Sequence, residues 1–155
     1  MSQRNLKALI VQSTYYSDII SMMRESVIKE LESASFGYYL VNVPGVYELP
    51  ATIKLMMAKN KKEVFSGAIA LGCVIRGETD HYEYICRESS RALMDLSLSG
   101  IALGFGILTC ETYSQALERA DINGKNKGKE AAIACLSMIE LKDKYGPTLY
   151  PPIEQ

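Results

Sequence analysis

Charge of one sign is missing from this chain of 155 residues: 17 basic side chains face 18 acidic ones, leaving a formal net charge of −1. Such a balance supplies no global field to draw in nucleic acid or an anionic membrane, so any anionic ligand has to be held by a local site. Long apolar runs are missing too. The longest nearly apolar stretch, Val64 to Ile75, is broken by Ser66 and Gly67 and falls well short of the ~20 residues that span a bilayer. No CxxC pair occurs among Cys73, Cys86, Cys110 and Cys135, and His81 is the only histidine. Scattered thiols in a reducing compartment read as small buried hydrophobes, and a zinc site would need further imidazoles. Nucleotide signatures are incomplete: Gly104 and Gly106 lack the third glycine of GxGxxG, and neither GKN nor GKE completes a P-loop. Dinucleotide and nucleoside triphosphate enzymes are thereby disfavoured. The start, MSQRNLK, runs into LKALIV with neither the apolar core nor the small-residue cleavage site of a secretory signal, so a cytoplasmic location is expected.

What is present has the balance of a folded protein, 48% hydrophobic and 23% charged, at a length that suits one compact domain. Short β-branched or apolar runs alternate with segments of helical period. Strands are expected at Leu6 to Val11, Tyr38 to Val43, Phe65 to Val74 and Ile101 to Leu108. The third is apolar on both faces, as a central parallel strand must be. A helix capped by Ser17 is expected to run to about Glu32, with Ile19, Ile20, Met23, Val27, Ile28 and Leu31 on one stripe. A second runs from Glu48 to about Lys59, with a basic end at Lys59, Lys61 and Lys62. A third, started by the DxxE pair Asp80 and Glu83, runs to about Leu98 and turns Tyr84, Ile85, Leu93 and Leu96 inward. Thr112 and Gln115 form a capping box for a short helix to about Ala120, and Lys127 to Lys144 forms the last, around Ala131, Ala134, Cys135, Met138 and Leu141. The final ten residues, GPTLYPPIEQ, carry three prolines and read as an extended tail. This order implies a helix/sheet/helix sandwich around a four-stranded parallel sheet, with function at the carboxyl ends of the strands.

Unusual residues fall at those ends. His81 sits in the first turn of a helix after a glycine turn, and an imidazole titrates near neutrality, which suits proton transfer; a surface histidine that merely follows its cap is the plainer reading. The turn RGETD can hold an anion, because Gly77 allows close backbone approach and helix-start N–H groups point outward there. Glu78 and Asp80 in the same turn require a cation from elsewhere, and Arg119 and Lys127 are candidates unless each is simply a solvated charge. Tyr15, Tyr47 and Phe105 stand at three other strand ends, where aromatic rings can sandwich a flat heterocycle or equally serve as packing. Glu48 can accept hydrogen bonds from sugar or polyol hydroxyls, or simply favour a helix start.

Taken together, VPGVYELP, GCVIRGETDHYEY, FGILTCET and LERADINGKNKG closely resemble the lumazine synthase family over residues 6 to about 142, in that family's order and spacing. The resemblance implies a flavodoxin-like sandwich with no metal or redox cofactor. It implies condensation of 5-amino-6-(D-ribitylamino)uracil with 3,4-dihydroxy-2-butanone 4-phosphate to 6,7-dimethyl-8-ribityllumazine, with release of phosphate and water. By this resemblance Tyr15 stacks on the pyrimidine, and Val46, Tyr47 and Glu48 line the ribityl chain. Cys73, Val74 and Ile75 meet the uracil through their backbone; Gly77, Glu78 and Thr79 form the phosphate loop; His81 transfers protons. Phe105, Arg119 and Lys127 come from a neighbouring subunit, with the arginine on phosphate. The implied partners are therefore small-molecule substrates and further copies of the chain, at least a pentamer, with riboflavin synthase as a possible associate and neither nucleic acid nor membrane.

The chain departs from the family at three places. Thr14, Tyr15 and Tyr16 stand for its common Arg-aromatic-Asn triplet, Tyr47 replaces the commoner Phe, and the usual GNKG becomes KNKG at Lys125 to Gly128. Two other readings are a flavin- or lumazine-binding homologue without turnover and a shell protein that has lost its site. Retention of His81, Arg119 and Lys127 speaks against the first, and intact RGETDH and LERA segments against the second. Flavodoxin itself is disfavoured, since STYYSD stands where its Ser/Thr-rich phosphate loop belongs.

Overall fold

The computed structural model describes residues 6–58 and 63–146. Among them, four parallel strands form one sheet: β1 (Lys7–Ser13), β2 (Gly37–Val43), β3 (Gly67–Ile75) and β4 (Leu103–Cys110), in the order β2-β1-β3-β4. The register places Ile10 between Leu40 and Ile69, and Leu71 beside Gly106. Five α-helices cover the sheet: α1 (Ser17–Ser33), α2 (Leu49–Met56), α3 (His81–Leu98), α4 (Tyr113–Ala120) and α5 (Lys127–Tyr145). The result is the expected three-layer sandwich.

Strand periodicity divides the core in two. Ala8, Ile10, Ile69, Leu71 and Cys73 pack toward α1, α4 and α5, whereas Leu9, Val11, Ala68, Ala70 and Val74 pack toward α2 and α3. β1 and β3 are buried on both faces because helices lie on both sides of them. At each fully buried Leu or Ile this contributes ~1.5–3 kcal/mol. β2 and β4 are edge strands: Tyr38, Tyr39 and Leu40 are exposed, and although the apolar run Ile101 to Leu108 reads as a buried strand, Phe105 within it is exposed too.

Helix starts depart from the expected caps. Ser17 is the first residue of α1, and the cap position belongs to Tyr16 in a left-handed conformation (φ 53°, ψ 57°) without a side-chain bond. The segment after β2 begins as a 3-10 turn over Val46–Glu48, and α2 starts only at Leu49, where Pro50 suits the first turn. It ends at Met56, with Leu55 exposed; the basic end expected at Lys59, Lys61 and Lys62 lies outside the described residues, as does the tail beyond Gly146. The DxxE pair is not a capping box, since Asp80 makes no side-chain cap. Thr112 Oγ1 does accept from the Gln115 amide at 3.2 Å, while Gln115 Oε1 accepts from Glu111, one residue before the expected donor. Tyr84, Met138 and Leu141 face outward, because their neighbours Ile85 and Ile139 already occupy the inward stripe.

α5 lies close against β4 because Gly104 has no side chain: a Cβ there would come within 2.2 Å of the Ala131 carbonyl oxygen. Backbone cannot yield as a side-chain tip can. Gly104→Ala is therefore expected to cost ~1–3 kcal/mol, read as a lowered urea midpoint at unchanged slope.

Candidate active site

In the order β2-β1-β3-β4 the chain leaves β1 toward one edge and returns to the other side of it through β3. A crevice opens at such a switch point beyond the carboxyl ends of the strands, and ligands of open α/β sheets bind there. Here it is a cleft of about 370 Å³. Tyr15 enters it from the end of β1, Val46, Tyr47 and Glu48 from the turn after β2, and Cys73, Val74 and Ile75 from the end of β3. His81 enters from the first turn of α3. Gly72 permits this convergence: a Cβ on it would lie 2.7 Å from Val46 Cγ2, so only glycine lets the turn rest on the sheet.

Within the cleft the Glu48 carboxylate accepts from the Gly45 amide at 2.9 Å. That bond holds the carboxylate through Oε2. The His81 ring meets the Tyr47 ring edge-on, with centroids 6.1 Å apart, and its amide donates to Thr79 Oγ1 at 3.4 Å. Tyr15 is 68% exposed and Tyr47 45%, so both rings remain open to solvent in one chain. Thr14 Oγ1 reaches the Pro44 carbonyl at 3.4 Å, holding the turn after β2 to the end of β1.

The other expected residues gather elsewhere. Phe105, Arg119 and Lys127 line a second hollow of about 380 Å³ along β4 and α5, which shares no lining residue with the first. Arg119 donates to the Gln115 carbonyl at 3.1 Å and belongs to no ion pair among the described residues, whereas Lys127 pairs with Glu130 at 2.8 Å. Gly77, Glu78 and Thr79 lie in the loop between β3 and α3 and line neither hollow.

Pro44, Gly45, Tyr16 and Ile85 also line the cleft, although sequence reasoning did not place them there. Ile85 follows His81 by one helical turn, a spacing that could have revealed it. Tyr16 was signalled only as the residue that stands for Asn in the family's triplet. Asn tolerates the left-handed region better than Tyr, so the ring is held at a cost of ~1 kcal/mol or more, and it packs between Tyr15 (6.3 Å) and Tyr113 (6.4 Å). Among the described residues no group of three or more His, Cys, Asp and Glu side chains is placed to hold a metal, and no helix is long and apolar enough to cross a membrane.

A ligand crevice at the switch point of a parallel α/β sandwich, lined by aromatic rings, a fixed carboxylate and an imidazole, defines a small-molecule enzyme of the flavodoxin-like class. The family model described as 6,7-dimethyl-8-ribityllumazine synthase matches residues 5–143. A protein of that name from Afipia carboxidovorans is 44% identical, covering 89% of this chain and 86% of its own length. Those from Sphingopyxis alaskensis and Bartonella henselae are also 44% identical, over 89% and 92% of this chain and 96% and 92% of theirs. The chain belongs to the 6,7-dimethyl-8-ribityllumazine synthase family, and with it to the transferases of riboflavin biosynthesis.

The one thiol in the cleft is not a nucleophile. Burial, and to a lesser degree Cys110, pushes the Cys73 thiol up to about 12, and burial pushes Cys135 up to about 12 as well. Cys110 and Cys86 are raised for the same reason. All four remain protonated near neutrality, and a thiol without thiolate character reacts slowly. Iodoacetamide at pH 8 is expected to leave Cys73, Cys110 and Cys135 unlabelled in the folded protein over a time that labels them fully in urea, as peptide mass mapping will show.

Proposed function

We propose that this chain condenses 5-amino-6-(D-ribitylamino)uracil with 3,4-dihydroxy-2-butanone 4-phosphate, and that it does so between neighbouring copies of itself. The observation that carries this reading is the division of the ligand-binding inventory. One hollow holds the aromatic platform, the polyol-binding carboxylate and the histidine; the other holds Phe105 and the unpaired Arg119. Each is half of what a heterocycle and a phosphate ester need, and packing one chain's second hollow against another's first completes both.

In this reading Tyr15 and the neighbour's Phe105 sandwich the pyrimidine, and the β3 end presents backbone groups to its edge. Glu48 Oε1 accepts from ribityl hydroxyls. The loop of Gly77, Glu78 and Thr79 presents amides to the phosphate, with the neighbour's Arg119 supplying the cation that the acidic loop lacks. The neighbour's Lys127 stands beside the ring. The 5-amino group of the pyrimidine attacks the ketone and the carbinolamine loses one water to an imine; phosphate leaves by elimination, the resulting enol takes up a proton to become a ketone, and the ribitylamino nitrogen attacks that ketone and expels a second water to close the ring. No step needs a covalent enzyme intermediate. Orientation of two bound substrates provides much of the acceleration, His81 shuttles protons at the rim, and Arg119 with the loop amides stabilises the departing phosphate.

The one-domain chain assembles at least as a pentamer in this reading and acts in the cytoplasm, where riboflavin synthase, which would take up the product, can associate with it. Exposed edge residues on β2 and the open Tyr15 and Phe105 faces support contact between copies. The absorbance of lumazine, followed after mixing purified protein with both substrates, tests the reading; substrate binding without accelerated product formation favours a non-catalytic homologue. Light scattering is expected to return a mass of five chains or a multiple, and a monomer with full activity refutes the shared site.

Two substitutions separate the roles. Arg119→Ala is expected to raise KM for the butanone phosphate roughly tenfold or more, since a charge-assisted bond is lost, with the pyrimidine KM little changed; equal loss for both substrates refutes the assignment. His81→Ala is expected to lower kcat by on the order of 10²-fold without abolishing turnover, because the positioning of substrates survives.

A further inference from the structure

Arg76 stands directly before Gly77, where a cation would be taken for a phosphate ligand, yet the structure turns it to another task. Its Nη1 bonds the Glu83 carboxylate, its Nε bonds Glu111 Oε2 at 2.8 Å, and its guanidinium lies 4.3 Å from the centroid of the Tyr82 ring. Its own amide donates to the Cys110 carbonyl at 2.9 Å. Three elements therefore meet on one side chain: the end of β3, the first turn of α3 and the end of β4.

This arrangement brackets the loop before His81. Arg76 precedes Gly77, Glu78, Thr79 and Asp80, and Glu83 follows His81 by two residues, so the ion pair closes the loop at its base. The usual device for fixing a helix start is absent: Asp80 offers no side-chain cap. Glu83, which in a capping box would reach back to the Asp80 amide, is engaged by Arg76 instead. Glu111 is held in its turn, since its amide donates to Gln115 Oε1 at 2.8 Å on α4, the helix that carries Arg119.

We infer that Arg76 is a positioning residue: joined to Glu83 and Glu111 and seated on Tyr82, it sets where the loop Gly77–Asp80 and the His81 ring stand. The inference rests on the reading above, in which that loop receives the phosphate and His81 moves protons. Arg76, Glu83 and Glu111 are each more than a third exposed, and exposed pairs of this kind add little to stability. Its removal acts on geometry rather than on the fold, because a shift of about 1 Å in a positioning group is enough to slow a reaction severely.

The test compares the assembled full-length protein with Arg76→Met, which keeps the apolar stem and removes the donors, and with Arg76→Lys, which keeps the charge without the planar fork. Arg76→Met is expected to raise KM for the butanone phosphate and lower kcat, each roughly tenfold, with the pyrimidine KM and the melting temperature close to the parent's. Arg76→Lys is expected to restore part of the loss. Parent-like kinetics in Arg76→Met, or an equal rise in both KM values, overturns the inference. Hydrogen exchange by mass spectrometry gives a second arm independent of turnover: amides 77–83 are expected to exchange faster in Arg76→Met while those of β1 and β3 do not change. Unchanged exchange at 77–83 also overturns it. Should the parent make no lumazine, the proposed reaction fails by itself, and the exchange arm still decides whether Arg76 holds the loop.

Discussion

Parallel pairing of β1 with β3 is the constraint from which the rest of this structure follows. Both strands are covered on both faces, so each alternate residue must suit a different helical layer: Leu9 and Val11 toward α2 and α3, Ala8 and Ile10 toward α1 and α5. Once these two strands lie side by side, the chain must leave one toward β2 and the other toward β4. The gap between the departing segments is the cleft. Tyr15, Val46, Tyr47, Glu48 and His81 reach it from three different connections, and no other place in the sheet would collect them.

The cleft has what a flat polar heterocycle needs and lacks what a phosphate needs. Its carboxylate, Glu48, favours hydroxyl and amine donors over anions, Glu78 and Asp80 add negative charge in the loop before His81, and the guanidinium of Arg76 is taken up by Glu83 and Glu111. These two carboxylates hold the Arg76 proton more firmly than usual, and Arg76 in turn keeps the Glu83 carboxyl below the ordinary carboxylate range. Arg119, which belongs to no ion pair among the described residues, lines the separate hollow along β4 and α5. In our reading a second copy of the chain brings these two halves together, so that oligomerisation belongs to the chemistry rather than being added to it.

Much of the fold was legible beforehand. Four strands and the helices between them follow from periodicity, because runs such as GAIALGCVI can be buried only as a central parallel strand, and α1 shows its apolar stripe openly. Boundaries were less legible. Tyr16 rather than Ser17 caps α1, the DxxE pair at Asp80 is broken, and Tyr84 faces outward. Packing outweighed a local preference in each case: Tyr113 against Tyr16, Arg76 on Glu83, and the burial of Ile85 rather than Tyr84 on the inward stripe of α3. The cleft residues were legible as unusual side chains at strand ends, and the motifs pointed to a family; Ile85 was legible only through its spacing from His81, since nothing in an apolar side chain by itself marks it as lining a cavity.

Local preference and hydropathy, both properties of residues near in sequence, therefore sufficed for the element types, the parallel α/β class and the kind of chemistry. Which of those residues meet was settled by the packed chain alone. Glu83 finds Arg76 rather than Asp80, Thr14 finds Pro44, and Arg119 stands apart from His81 in a separate hollow. Such pairings depend on strand order and on close approaches like that of the Val46 turn over Gly72. Contacts of this kind join segments distant along the chain, and their energies exist only once those segments have been brought together.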